Sequence, residues 1–238
     1  MAAFETILAL DSSGAACSTA LWRRGAIVAR RYREMARGHA EVLMPMLVET
    51  VAEAGESFGA LNAVAVPIGP GAFTGIRIGL AAARGIALAA DIPVVGVTTF
   101  AAVAEAVPET ERANRRLVVL LDSKRGDVFV QEFASDRTAV GSPTILSPDA
   151  VLHRVASGSF ILAGDGIFVI RSQLDAAGPD VEYSAVNGRA DACWVAQLAA
   201  RSIAERTGLP ATPLYLRAPE LRSPSATAIA SNTATSNR

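Results

Sequence analysis

Two α/β lobes, each a mixed sheet flanked by helices, are what this 238-residue sequence predicts. Three observations carry that expectation. The apolar run Thr6-Ile7-Leu8-Ala9-Leu10 ends in the turn Asp11-Ser12-Ser13-Gly14, with a further strand candidate behind it. Residues 117–121 form a second apolar run that ends at Asp122, turns through Ser123-Lys124-Arg125-Gly126 and again leads into a strand candidate, a weak internal duplication. Between the two, the order strand, helix, strand, helix adds a parallel half to a sheet covered by helices.

The elements follow in order. Residues 16–22 and 26–32, separated by Arg23-Arg24-Gly25, complete a three-strand meander with the first run. From His39 to Ala54 the apolar residues Val42, Leu43, Met46, Leu47, Val51 and Ala54 recur at helical spacing, and Gly55 ends the helix. Pro45 lies within the pattern, so the helix either kinks there or starts late. Ala63-Val64-Ala65-Val66 and residues 92–97 are buried strands, and Thr98-Thr99 cap a helix that runs to about Val107. These elements form a first lobe, residues 1–106, joined through a polar stretch to a smaller second lobe, 107–222. In the second lobe, residues 147–156 and 190–206 are helices and Phe160-Ile161-Leu162-Ala163 a strand. Residues 223–238 are almost wholly Ser, Thr, Ala and Asn, and are expected to be a disordered tail.

The segment that organises the first lobe is Gly69-Pro70-Gly71-Ala72-Phe73-Thr74-Gly75-Ile76-Arg77-Ile78-Gly79, a tight turn running into a helix. It is not a Walker loop, because Ile76-Arg77 follow Gly75 where Lys-Ser/Thr is required; nor is it G-x-G-x-x-G, which needs glycine at Thr74. Gly75, Gly79 and Ala83 recur every four residues and leave one helix face bare enough for close backbone approach. That face packs either on the chain's own sheet or on a partner. Arg77 and Arg84, seven residues apart on one side, favour a partner interface with a charged rim.

Composition excludes several classes. A net charge of −1 argues against a nucleic-acid binder by overall electrostatics. Arg23, Arg24, Arg30, Arg31, Arg33 and Arg37 cluster before the acidic stretch Glu41, Glu49, Glu53 and Glu56, and form either a solvated hairpin face or an RNA-contacting patch. No uncharged apolar run reaches the ~18 residues of a membrane span, and the N-terminus lacks an export signal, so a cytoplasmic protein is expected. Cys17 and Cys193 have no metal-ligand spacing, and His39 has Leu43 rather than a ligand four residues on. His153 also lacks a partner at ligand spacing.

The paired aspartate-tipped hairpins resemble the actin, sugar-kinase and Hsp70 ATPase superfamily, with its ribonuclease H-like lobes. More specifically, the chain resembles the TsaB (YeaZ) family over roughly residues 5–218. The resemblance rests on residues 7–13 and 17–22, His39 with Leu43 and Pro45, all of 69–79, residues 93–98, Leu121-Asp122-Ser123 with Gly126-Asp127-Val128, and Tyr215-Leu216-Arg217. It implies a non-catalytic subunit in the synthesis of N6-threonylcarbamoyladenosine at position 37 of ANN-decoding tRNAs. The implied partners are the catalytic paralogue TsaD and the ATPase TsaE, with tRNA reached through the complex; alone, the chain is either a monomer or a homodimer. His39, Leu43, Met46, Gly71, Phe73, Thr74, Gly75, Arg77, Gly79 and Ala83 are the expected partner interface. On that reading a bulky residue at Gly79 abolishes pairing and leaves the fold intact.

No catalytic residue and no metal ligand is expected. TsaD-like chains carry H-x-x-x-H where this sequence has Thr99 and Val103, neither able to hold iron or zinc. No G-x-S-x-G and no histidine beside a nucleophile supports a peptidase. The chain alone is expected to hold no cofactor, with ATP or ADP placed at the complex interface. Asp11, Ser12, Asp122 and Lys124 are the candidate nucleotide contacts. They also keep alive an alternative, an independent ATP-dependent phosphotransferase.

Overall fold

The computed structural model describes residues 5–113, 115–178, 180–186 and 188–217; the expected tail at 223–238 lies outside them. The first sheet is built from β1 (Thr6–Asp11), β2 (Ala16–Arg23), β3 (Ala26–Glu34), β4 (Ala63–Gly69) and β5 (Val94–Thr98). Helix α1 (His39–Glu53) precedes β4, and α2 (Phe73–Ala90) links β4 to β5. The strand order is β3-β2-β1-β4-β5, with β1 antiparallel to β2 and parallel to β4. Helix α1 begins at His39 and carries Pro45 inside it.

The second sheet repeats the plan. After α3 (Thr99–Ala106) and the short α4 (Glu109–Arg112) come β6 (Arg116–Asp122), β7 (Val128–Phe133) and β8 (Ala139–Leu146). Then follow α5 (Pro148–Val155), β9 (Phe160–Ala163), α6 (Ile167–Ala177) and β10 (Val181–Tyr183). Its order, β10-β9-β6-β7-β8, is that of the first sheet read from the other edge, again with an antiparallel hairpin and a parallel half.

Alternation along β1 divides the first core. Leu8 and Leu10 face Leu43 and Leu47 of α1 and Ile76 and Leu80 of α2, whereas Ile7 and Ala9 face the opposite side. That opposite side is covered by α7 (Ala192–Glu205), whose Ala192, Val195, Ala196 and Ala199 pack on Ala63, Ala65, Val95 and Val97. Small residues on both surfaces let helix and sheet approach closely. The position of α7 bears on the boundary expected at 107–222: residues 192–205 return to the first lobe, where they cover that sheet's second face beside Ala101 and Ala102 of α3. In the second lobe, Phe100, Val103 and Ala104 of α3 pack on Leu117 and Val119, and the other face takes Val151, Ile170 and Leu174.

Helices α3 and α7 also touch each other and form a layer shared by the lobes. Buried Glu105 of α3 fastens it, meeting Arg201 of α7 at 2.7 Å and Arg137 of the β7–β8 turn at 3.2 Å. The 18 residues of α2, with a mean hydropathy of 1.3, are long and apolar enough to cross a membrane. In the fold this helix instead buries Gly75, Ile76, Gly79, Leu80 and Ala83 on one face.

Candidate functional site

A cleft of about 610 Å³ separates the lobes, bounded by the β1–β2 turn, the start of α2, the β6–β7 turn and residues 214–217. The candidate nucleotide contacts divide there. Asp122 and Lys124 line the cleft but bind each other, Lys124 Nζ lying 2.7 Å from Asp122 Oδ2 and the Lys124 amide donating to Oδ1 at 2.6 Å. Asp11 and Ser12 are removed from it. Asp11 is 1% exposed and accepts the Ser13 amide at 2.9 Å, while Ser12 Oγ donates to the Gly75 carbonyl at 2.9 Å. Ser12 is covered by α2, whereas Asp11 lies on the face of β1 that carries Ile7 and Ala9, near Asp191 at the start of α7. Ser13 Oγ and Thr99 Oγ1, by contrast, belong to residues that line the cleft and are buried without a hydrogen-bond partner among the described residues.

Burial raises the Asp11 carboxyl from 3.8 to about 6; hydrogen bonds from the Ser13 and Ser12 amides partly offset it, and the nearby Asp191 carboxylate adds to it. A folded-state value above the unfolded one means that folding takes up a proton between pH 4 and 6. Stability is therefore lost as pH rises through that window. Asp11→Asn, which keeps an acceptor for the Ser13 amide, should exceed the parent's stability by about 2–3 kcal/mol at pH 7.5 and match it near pH 4. Urea unfolding at the two pH values tests this; an equal offset at both would exclude the carboxyl as the source.

The expected interface residues also redistribute. Gly75, Gly79 and Ala83 face the chain's own sheet. A Cβ on Gly75 would lie 2.0 Å from the Ser12 carbonyl oxygen, and one on Gly79 would lie 2.9 Å from Ser12 Oγ and 3.3 Å from Leu10. Leu43 and Met46 are buried in the same core. His39 donates from Nε2 to the Gly14 carbonyl at 3.0 Å, so it ties α1 to the β1–β2 turn, and Gly71 abuts Ser13. Gly75, Gly79, Ala83, Leu43 and Met46 are thus corrected to internal packing, since their side chains, or the space a side chain would need, are already taken; His39 and Gly71 make their internal contacts while staying partly exposed. Phe73, Thr74 and Arg77 remain exposed. The rim arginines are engaged within the chain: Arg77 stacks over Phe73 and donates to Tyr215 Oη at 3.2 Å, and Arg84 donates to the Ala211 carbonyl at 2.6 Å.

Another face of the two helices is open. Between α1 and α2 runs an apolar groove of about 510 Å³, whose walls include Met44, Val48, Phe58, Ala82, Gly85 and Ala89. Met44 and Val48 are 42% and 52% exposed, and a Cβ added at Gly85 would meet nothing within 4 Å. Helix α2 thus carries two small-residue stripes at four-residue spacing: Gly75, Gly79 and Ala83 toward the sheet, and Ala81, Gly85 and Ala89 on the groove. The second stripe, and Met44 with Val48 one position beyond the core pair Leu43 and Leu47, were the available signals for this face.

Paired ribonuclease H-like sheets around a central cleft place the molecule in the actin, sugar-kinase and Hsp70 ATPase fold class. Comparison with known proteins narrows this. A family model described as TsaD, tRNA N6-adenosine threonylcarbamoyltransferase, matches residues 32–193. The tRNA threonylcarbamoyladenosine biosynthesis protein TsaB of Escherichia coli (strain K12) is 35% identical over 166 residues, which is 67% of this chain and 71% of the relative. The protein of the same name from Haemophilus influenzae is 30% identical, with 68% of this chain and 72% of the relative covered. Among solved structures, YeaZ from Pseudomonas aeruginosa superposes with a TM-score of 0.75 at 29% identity, over 89% of this chain and 100% of that one. Another, described as an uncharacterized protein with similarity to peptidase YEAZ from Pseudomonas aeruginosa, gives 0.77 at 30% identity, over 90% and 100%. The chain belongs to the TsaB (YeaZ) family.

Proposed function

We propose that this protein is a non-catalytic scaffold in the synthesis of N6-threonylcarbamoyladenosine at position 37 of ANN-decoding tRNAs. In this reading it binds the catalytic subunit TsaD through the α1–α2 groove, works with the ATPase TsaE in the cytoplasm and meets tRNA through the complex. The observation that carries it is the groove, an apolar surface on two helices with a bare glycine at its centre, in a chain of this family. A paralogue of the same fold offers an equivalent helix pair, and a second copy of this chain can take its place when the partner is absent. ATP or ADP belongs at the assembled interface.

Two further observations support the division of labour. Asp11 is buried away from the cleft, and the cleft-lining Asp122 and Lys124 pair with each other, so the phosphotransferase alternative has neither its first aspartate nor an uncommitted lysine there. Many of the early arginines are committed to acidic partners, Arg23 to Glu56 at 2.7 Å, Arg31 to Glu53 at 2.8 Å and Arg30 to Asp191, which favours tRNA contact through other subunits.

Reconstitution tests the proposal. Purified TsaD, TsaE, tRNA, ATP, bicarbonate, threonine and a threonylcarbamoyl-adenylate synthase are combined with and without this chain, and the modified nucleoside is read by mass spectrometry. Product is expected only when the chain is present. Full product without it would overturn the scaffold role.

A further inference from the structure

Residues 208–217 cross the molecule from the edge of the first sheet to the second lobe, and every stage of the path is tied down. The Gly96 amide on edge strand β5 donates to the Leu209 carbonyl at 2.8 Å, and the Leu214 amide donates to Ile68 of β4 at 2.7 Å. Between these points Arg84 of α2 holds the Ala211 carbonyl at 2.6 Å. Tyr215 then packs on Phe73 at 5.4 Å between ring centroids and accepts from Arg77 at 3.2 Å, while the Arg77 guanidinium lies 3.7 Å above the Phe73 ring. Two residues later Arg217 pairs with Asp127, at the entry to β7 in the other lobe.

The underlying chain is shaped for this crossing. A Cβ on Gly69 would fall 2.7 Å from the Leu214 carbonyl oxygen, and one on Gly96 would fall 2.6 Å from that of Pro210, so both positions need glycine to let the segment lie down. Asp127 is held ready for Arg217 by the Ser123 hydroxyl, which donates to its carboxylate. Residues 214–217 also form one wall of the inter-lobe cleft.

We propose that this segment is a strap that locks the two lobes at one angle. Folds of two lobes around a cleft commonly work by hinge closure, which needs freedom at the connections. Here the lobes share the α3–α7 layer, and the strap adds a further tie, from α2 across to the β6–β7 turn. Each contact is modest, but together they fasten one short segment to both lobes and restrain one relative motion. The strap converts a hinged architecture into a fixed one.

The test measures the distance between the lobes in the full, free chain, independently of any partner. Spin labels on Ala52→Cys of α1 and Gln173→Cys of α6, both exposed in the parent, report it, with Cys193→Ala introduced and the buried Cys17 left in place. The parent is expected to give one narrow distance distribution. Arg217→Ala, which cuts the tie to the second lobe, and the double variant Arg77→Ala with Arg84→Ala, which frees the strap from α2, should each broaden it about twofold. Arg24→Ala, which removes an exposed ion pair with Glu5 elsewhere on the first lobe, should leave it unchanged. Circular dichroism confirms that each variant is folded. Overlay of both strap variants on the parent, or a broad distribution in the parent itself, would overturn the lock.

Discussion

A chain carrying Gly85→Arg should fold as the parent does and fail to bind TsaD. The space around Gly85 is open, so the new side chain meets no steric obstacle, and arginine is a better helix residue than glycine by about 1 kcal/mol. Thermal stability is therefore expected to stay level or rise. Docking is a different matter. A guanidinium at the centre of an apolar groove keeps the partner's backbone away and loses hydration if the partner closes over it. At least a 100-fold loss of affinity, about 3 kcal/mol, is expected by calorimetry or by co-elution with TsaD. Val48→Glu, on the opposite wall, should act in the same direction. Unchanged affinity in both variants would move the docking face elsewhere.

Gly79→Leu is expected to behave in the opposite way and destabilise the fold. Its Cβ alone would press on Ser12 Oγ at 2.9 Å, Leu10 at 3.3 Å and Val66 at 3.4 Å, and the rest of the side chain has nowhere to go but the interface between α2 and the sheet. Overpacking of this kind costs about 1–3 kcal/mol when the surroundings can yield, and more when the obstruction includes a strand. Against a stability of roughly 5–15 kcal/mol, the loss shows directly in the urea midpoint. Gly75→Ala is the more economical probe, because one methyl group would sit 2.0 Å from the Ser12 carbonyl oxygen. A Gly79→Leu chain with the parent's midpoint would contradict the placement of α2 on its sheet.

The contrast between these two glycines marks how far the sequence could be read. Strand and helix positions in the first lobe were legible because each apolar run ended in a strong turn residue or a capping hydroxyl; Thr98 does accept the Ala101 amide at 3.1 Å. The same holds for Ser147 and Ala150, at 3.3 Å. Strand β8 and helix α6 were not legible. β8 is a mostly exposed edge strand containing Gly141 and Pro143, with no buried alternation to reveal it. Within the site, periodicity identified α2 as a helix with a bare stripe. It could not decide between two such stripes, since a Gly-x-x-x-Gly spacing fits a sheet as well as a partner. The roles of Arg77 and Arg84 were hidden for another reason: their acceptors lie 138 and 127 residues away, in a segment with no regular pattern. Asp11 looked like a phosphate ligand because it ends a strand. Only the return of α7 to the first sheet, which brings Asp191 close to it, shows it to be buried.

The return of α7 to the first sheet bears on how the chain is born. While the N-terminal half leaves the ribosome, Ile7, Ala9, Ala63, Ala65, Val95 and Val97 are already made, but the helix that covers them ends only at Glu205. A nascent chain stopped at residue 106 lacks α7, and with it the residues that pack on Ala63, Ala65, Val95 and Val97. Such late, distant closure slows folding and leaves an adhesive surface open in the meantime. Completion of the first lobe thus waits until the second has been translated.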